Sequence, residues 1–180
     1  MHFGFRGGIR SEGNCREKER GDAASPERRE PLDLGDIAEE AMAAASPLGV
    51  GRAVQCALTR RGPAPVLADR VALLSAASNL VSNALLYANA RTSVDVAVGS
   101  RDGEAFLEIA DRGPGVPAED RARIFERFVR LDEGRARNPE GSGLGLAIVE
   151  QVARSHGGRI EVEEREGGGA IFRLTLPRAG

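Results

Sequence analysis

Gly141-Ser142-Gly143-Leu144-Gly145-Leu146 runs directly into Ala147-Ile148-Val149-Glu150-Gln151-Val152-Ala153-Arg154-Ser155-His156, and this junction decides how the chain is read. From Leu144 to His156 the apolar residues recur at helical spacing, and Gly157-Gly158 closes the run, so the second half is a helix. A glycine turn opening a helix offers unpaired backbone N–H groups with the positive end of the helix dipole behind them, which favours phosphate. Two common phosphate loops fail on specific residues. A P-loop needs Gly-Lys-Ser/Thr after its glycines, and no lysine stands here. A dinucleotide fingerprint needs G-x-G-x-x-G, but Leu146 occupies its last glycine position, and the turn comes late instead of after a first strand.

On both sides of the turn the chain alternates apolar and polar residues. Val54, Cys56 and Leu58; Val94, Val96 and Val98; Ala105, Leu107 and Ile109; Ile160 and Val162; and Ala170, Phe172, Leu174 and Leu176 each read as a strand. Strands buried on both faces would be continuously apolar, so these are covered on one face only. Leu34, Ile37, Ala38, Ala41 and Met42 mark a helix ended by Ser46-Pro47, and Asp69 stands as N-cap of a long helix reaching about Ala88. The predicted class is α+β: a two-layer α/β sandwich with helices on one face of a mixed, largely antiparallel sheet.

With 180 residues, 41% hydrophobic and 29% charged, the chain has the balance of one globular domain plus a tail. Residues 1–30 mix charges with Gly and Ser without apolar periodicity and are expected to be a disordered charged tail, leaving 31–180 as the domain. A net charge of -2 gives no pull toward nucleic acid or anionic lipid. Two cysteines make no disulfide framework, and no Cys/His cluster offers a zinc site. There is no leader-like apolar run, and residues 71–90 are interrupted by Ser75, Ser78, Asn79, Ser82, Asn83 and Asn89, so no membrane segment is expected and the location is read as cytoplasmic.

Asn79 and Asn83 lie four apart on the long helix, while Leu73, Ala77, Leu80, Ala84 and Leu85 take its core side. One asparagine would be a surface residue; two in register beside Ser82 and Tyr87 read as a stripe facing a ligand. An amide oxygen is a hard donor, and Mg2+ accepts few protein ligands where phosphates and waters complete its octahedron.

Taken in order, these motifs resemble the ATP-binding catalytic domain of sensor histidine kinases, in the GHKL (Bergerat-fold) superfamily shared with gyrase B and MutL. Asn79-Leu-Val-Ser-Asn83-Ala-Leu-Leu-Tyr87 resembles the N box, and Asp111-Arg-Gly113-Pro-Gly115-Val the first glycine box. Arg123-Ile-Phe125-Glu-Arg127-Phe128-Val-Arg130 resembles the F box, Gly141-Ser-Gly143-Leu144-Gly145-Leu the second glycine box, and His156-Gly-Gly the motif closing its helix. The resemblance spans about Pro31 to Pro177.

The resemblance implies ATP and Mg2+ as cofactors, with Asn83 as metal ligand and Asn79 supporting phosphates or metal-bound water. It implies that Asp111 accepts from the adenine amine, that Gly113 and Gly115 admit the base, and that Tyr87 covers it. Gly141, Gly143, Leu144 and Gly145 would form the phosphate turn. Phe125 and Phe128 would anchor a lid over residues 132–140, or pack in the core. Asn79, Asn83 and Arg127 are the implied catalytic set. No glutamate stands at Asn79, where related ATPases hold a water-activating base, in keeping with transfer to a histidine.

Two departures qualify the match. Leu86 stands where the N box usually has a lysine; Arg127, Arg130, Arg135 or Arg137 could supply the cation. The only histidines are His2 and His156, neither on an acceptor helix, so the phosphoacceptor is expected on a hairpin or partner in trans, with a response regulator as indirect partner. The alternatives are a non-catalytic ATP-binding regulatory module and an anti-sigma-type serine kinase, which share the fold.

Overall fold

A computed structural model of the chain describes residues 28–131, 138 and 141–180. Most of the expected tail, residues 1–27, therefore lies outside the described residues. Its expected end does not hold as drawn, because Arg29 and Glu30 already belong to a strand, β1 (Arg29–Asp33). Asp33 then caps helix α1 (Leu34–Ala45), its carboxylate accepting from Gly35 N at 2.7 Å and from Ala64 N at 2.9 Å. Pro47 ends α1 as expected and opens a one-turn helix, α2 (Pro47–Val50).

Strand β2 (Gln55–Arg60) is followed by β3 (Pro65–Asp69), which pairs antiparallel with β1 in a small separate sheet. Asp69 is the N-cap of α3 (Arg70–Tyr87), accepting from Ala72 N at 3.0 Å. Then come β4 (Ser93–Arg101), β5 (Glu104–Ala110), helix α4 (Gly145–Ser155), β6 (Arg159–Glu164) and β7 (Ala170–Pro177). The main sheet has the order β2-β4-β5-β7-β6. Among the described strands only β2 and β4 pair in parallel, and α3 lies in the connection between them. The expected class is thus observed: helices against one face of a mixed, largely antiparallel sheet.

The alternation in the strands has a direct cause. Leu107, Ile109, Leu174 and Leu176 point into the helix layer and are buried with Leu73, Leu80 and Leu85 of α3. Each such side chain contributes about 1.5–3 kcal/mol relative to exposure. The opposite face carries an arginine–glutamate ladder: Arg159 binds Glu104 at 2.6 Å, and Arg173 binds Glu108 at 3.0 Å and Glu163 at 3.2 Å. Helix α3 packs between α1 and α4, and its buried residues leave one polar edge that holds Asn79, Ser82 and Asn83.

Candidate functional site

A cavity of about 730 Å³ opens along that polar edge. Asn79, Asn83 and Tyr87 reach it from α3, Asp111 and Gly115 from the loop after β5, and Gly141, Gly143 and Gly145 from the turn into α4. Three segments far apart in sequence therefore share one cleft. Gly113, Leu144, Arg127 and Phe128 do not line it; among the described arginines Arg123 and Arg130 do.

The polar edge is tightly set. Asn79 Nδ2 donates to Ser75 O at 3.0 Å, which leaves Oδ1 directed at the start of α4. A Cβ on Gly145 would lie 2.8 Å from that oxygen, so any larger residue there would displace the amide or the helix start. Ser142 Oγ accepts from Leu144 N at 3.3 Å within the turn that leads into α4.

Asp111 is 4% exposed, and its Oδ1 accepts from Gly113 N at 2.7 Å, folding the loop into an Asx turn. The loop is held from behind by residues outside the expected site set, Arg165, Gly169 and Ala170. Arg165 donates through Nη1 to Ala110 O at 2.8 Å and to Asp111 O at 3.3 Å, while its Nη2 binds Asp95. Asp111 N donates to Ala170 O at 2.9 Å. Gly169, with φ at +110°, packs so closely that a Cβ would lie 2.1 Å from Asp111 O. The glycine run Gly167-Gly168-Gly169 is therefore a turn that also houses the Asp111 loop.

The family model of histidine kinase-, DNA gyrase B- and HSP90-like ATPases matches residues 68–180, well over half of the chain. The chain belongs to this family. The sensor protein CutS of Streptomyces coelicolor is 40% identical over 150 residues, covering 83% of this chain and 36% of CutS. The sensor-like histidine kinase SenX3 of Mycolicibacterium smegmatis is 43% identical over 112 residues, covering 62% of this chain and 29% of SenX3. The chain thus spans roughly a third of the length of these curated relatives. The solved mycobacterial sensor histidine kinase MprB is similar at TM-score 0.71 and 31% identity, over 83% of this chain and 97% of that one. Within the family, the chain carries the GHKL catalytic domain of the sensor histidine kinase type.

The F box of this histidine-kinase-type domain divides its two phenylalanines. Phe125 is buried at 8% exposure, whereas Phe128 is 71% exposed with φ at +66°. Core packing, the simpler expectation for both, holds for Phe125 alone. Phe128 N donates to Gly143 O at 2.9 Å, so the box is joined to the second glycine turn through backbone. Arg127 is exposed. Arg130 borders the cavity and donates through Nη2 to Asn138 O. The expected lid, with Arg135 and Arg137, lies outside the described residues except for Asn138.

Leu86 lines the cavity in the place of the N-box lysine. The donors fit a magnesium ion that keeps most of its ligands from phosphate and water. They are neutral amide oxygens beside a helix N-terminus, and among the described residues no group of three or more His, Cys, Asp or Glu gathers. No described helix is long and apolar enough to cross a membrane.

Proposed function

We propose that this domain binds Mg-ATP in the cleft between α3, the Asp111 loop and the α4 turn, and passes the γ-phosphate to a histidine presented in trans by a phosphoacceptor domain. The observation that carries this reading is the convergence of Asn79 and Asn83, Asp111, and Gly141, Gly143 and Gly145 around one cavity. Asn83, aided by Asn79, would hold the ion, which when bound supplies neutralising charge to the phosphates. Asp111 presents a buried carboxylate suited to the exocyclic amine of adenine, where guanine has a carbonyl. Tyr87 and Gly115 flank the base, and the N-terminus of α4 receives phosphate.

Transfer of a phosphoryl group asks mainly for alignment and charge neutralisation, and a neutral imidazole needs no strong base to attack. The cleft offers that environment: amides, backbone N–H groups and Arg130 at its border. The His156 ring has both nitrogens engaged and is 5% exposed, which supports an acceptor located elsewhere. A response regulator would then take the phosphate from that acceptor.

Leu86 in the cavity favours a second reading, a nucleotide-binding regulatory module without transfer. Calorimetry with Mg-ATP tests the shared part. Asn83→Ala and Asp111→Ala should each reduce binding at least a hundredfold, and unchanged affinity in either removes the assignment of that residue. Labelled ATP incubated with candidate dimerisation domains separates the two readings. Acid-labile, base-stable phosphate on the partner supports the kinase, and binding without transfer across the panel supports the module.

A further inference from the structure

Helix α3 ends at Tyr87 with no basic residue in its last turn, so the helix itself supplies no cation to the negative end of its dipole. That cation comes from elsewhere in the chain. Arg52, half-buried between α2 and β2, donates through Nη1 to Leu85 O at 3.2 Å and to Leu86 O, and through Nη2 to Ala88 O. Its own carbonyl accepts from Arg91 N at 3.0 Å. One guanidinium thus gathers three carbonyls of the turn that carries Leu86 and Tyr87, and its backbone fixes the exit of that turn.

The opposite side of the turn is fixed by the Asp111 loop. Asn89 N donates to Arg112 O at 3.1 Å, and a Cβ on Gly113 would lie 2.5 Å from Tyr87 O. The end of α3 is therefore clamped between Arg52 and the first glycine box. Tyr87 and Asp111 are the two groups assigned above to the base, and both line the cavity.

We propose that Arg52 is a positioning residue for the base end of the nucleotide site, acting through the last turn of α3 on Tyr87 and not on the phosphate turn. It replaces, from outside the helix, the C-terminal cation that Leu86 does not provide. The inference rests on the nucleotide reading for its effect on binding, but its structural part can be tested without ligand.

Tyr87 is the only tyrosine, and the chain has no tryptophan, so tyrosine fluorescence reports on this turn alone. In the full 180-residue chain, Arg52→Ala should raise the acrylamide quenching constant of that fluorescence at least twofold, with far-UV circular dichroism unchanged. Affinity for Mg-ATP should fall about tenfold, while affinity for magnesium tripolyphosphate, which meets only the glycine turn and the asparagines, should stay within twofold. Arg52→Lys should recover part of both effects, because an ammonium keeps the charge and donors but lacks the planar fork. Parental quenching in a folded Arg52→Ala protein overturns the proposal, as does an equal loss for both ligands. Where Arg52→Ala does not fold, Arg52→Gln carries the same comparison. If the parent binds no ATP, the functional reading fails while the quenching result still decides the role of Arg52.

Discussion

The backbone N–H of Asp69 donates to Nε2 of His156 across 3.0 Å, and both residues are buried. Because Nε2 accepts, the ring proton lies on Nδ1, which faces Val152 O at 2.8 Å. The neutral imidazole therefore joins the N-cap of α3 to the C-cap of α4, the two helices that line the cleft. A helix C-terminus favours a cation on electrostatic grounds, but this ring is held as an acceptor. His156→Ala is predicted to leave an unpaired amide and a void, costing about 2–4 kcal/mol by urea denaturation. His156→Gln, which keeps an acceptor, should recover part of that loss. Parental stability in His156→Ala would show that the bond contributes nothing.

The contact between Gly145 and Asn79 gives a second prediction. In Gly145→Ala the new methyl would meet Asn79 Oδ1 at 2.8 Å, and either the amide or the start of α4 must move. Mg-ATP affinity is expected to drop at least tenfold, with the loss shared by magnesium tripolyphosphate, since the displaced groups serve the phosphate end. Titration calorimetry with the two ligands reads this directly. A loss confined to ATP would contradict it.

Leu86 makes the opposite kind of prediction, a gain. Leu86→Lys places an ammonium at the cavity wall, and one charge-assisted hydrogen bond to the triphosphate is worth about 1.5–3 kcal/mol, or about 10–150-fold in affinity. The gain should shrink as salt is raised from low to physiological ionic strength. Unaltered binding at both salt concentrations would mean that position 86 does not face the phosphates.

The outer face of the sheet has its own pH dependence. Hydrogen bonds from Arg159 at 2.6 and 2.9 Å hold the Glu104 carboxyl below the usual carboxylate range, with partial burial opposing them. A lowered folded value means that the unfolded chain takes up the proton first. The stabilisation is present above the ordinary glutamate range and is lost as pH falls through the lowered folded value. The Tm gap between the parent and Glu104→Gln should therefore close on acidification. A gap that stays constant from neutral pH into acid would rule out this linkage.

Much of the architecture was readable because the main sheet is two-faced. Residues such as Leu107 and Leu174 alternate with Glu108 and Arg173, so the period of two survives in the sequence. Asn79 and Asn83 stood out for a similar reason, as amides on a helix whose other positions are apolar.

Strands β1 and β3 gave no such signal. Each has five residues, they pair only with one another apart from a single bridge from Val66 to Arg178, and Pro31 and Pro65 lower their strand character. Phe125 and Phe128 have helical spacing, but the segment is one 3-10 turn, Arg123–Phe125, after which Glu126 is extended. The two rings consequently part, one inward and one outward. The supports of the Asp111 loop were also hidden. Arg165 and Gly169 act through backbone carbonyls more than fifty positions away, a relationship that leaves no pattern along the chain.

Strand β7 follows every other described strand in the chain, yet it fills an interior slot between β5 and β6. A nascent chain that has not released β7 leaves β6 without a neighbour and the rim of β5 open to other chains, a state prone to aggregate. It also lacks Gly169 and Ala170, against which the Asp111 loop is seated. Assembly of this domain is thus gated at its C-terminal end. Ribosome-arrested chains of increasing length should gain protease resistance in one step once β7 has cleared the exit tunnel, and a gradual gain from shorter lengths would refute that order.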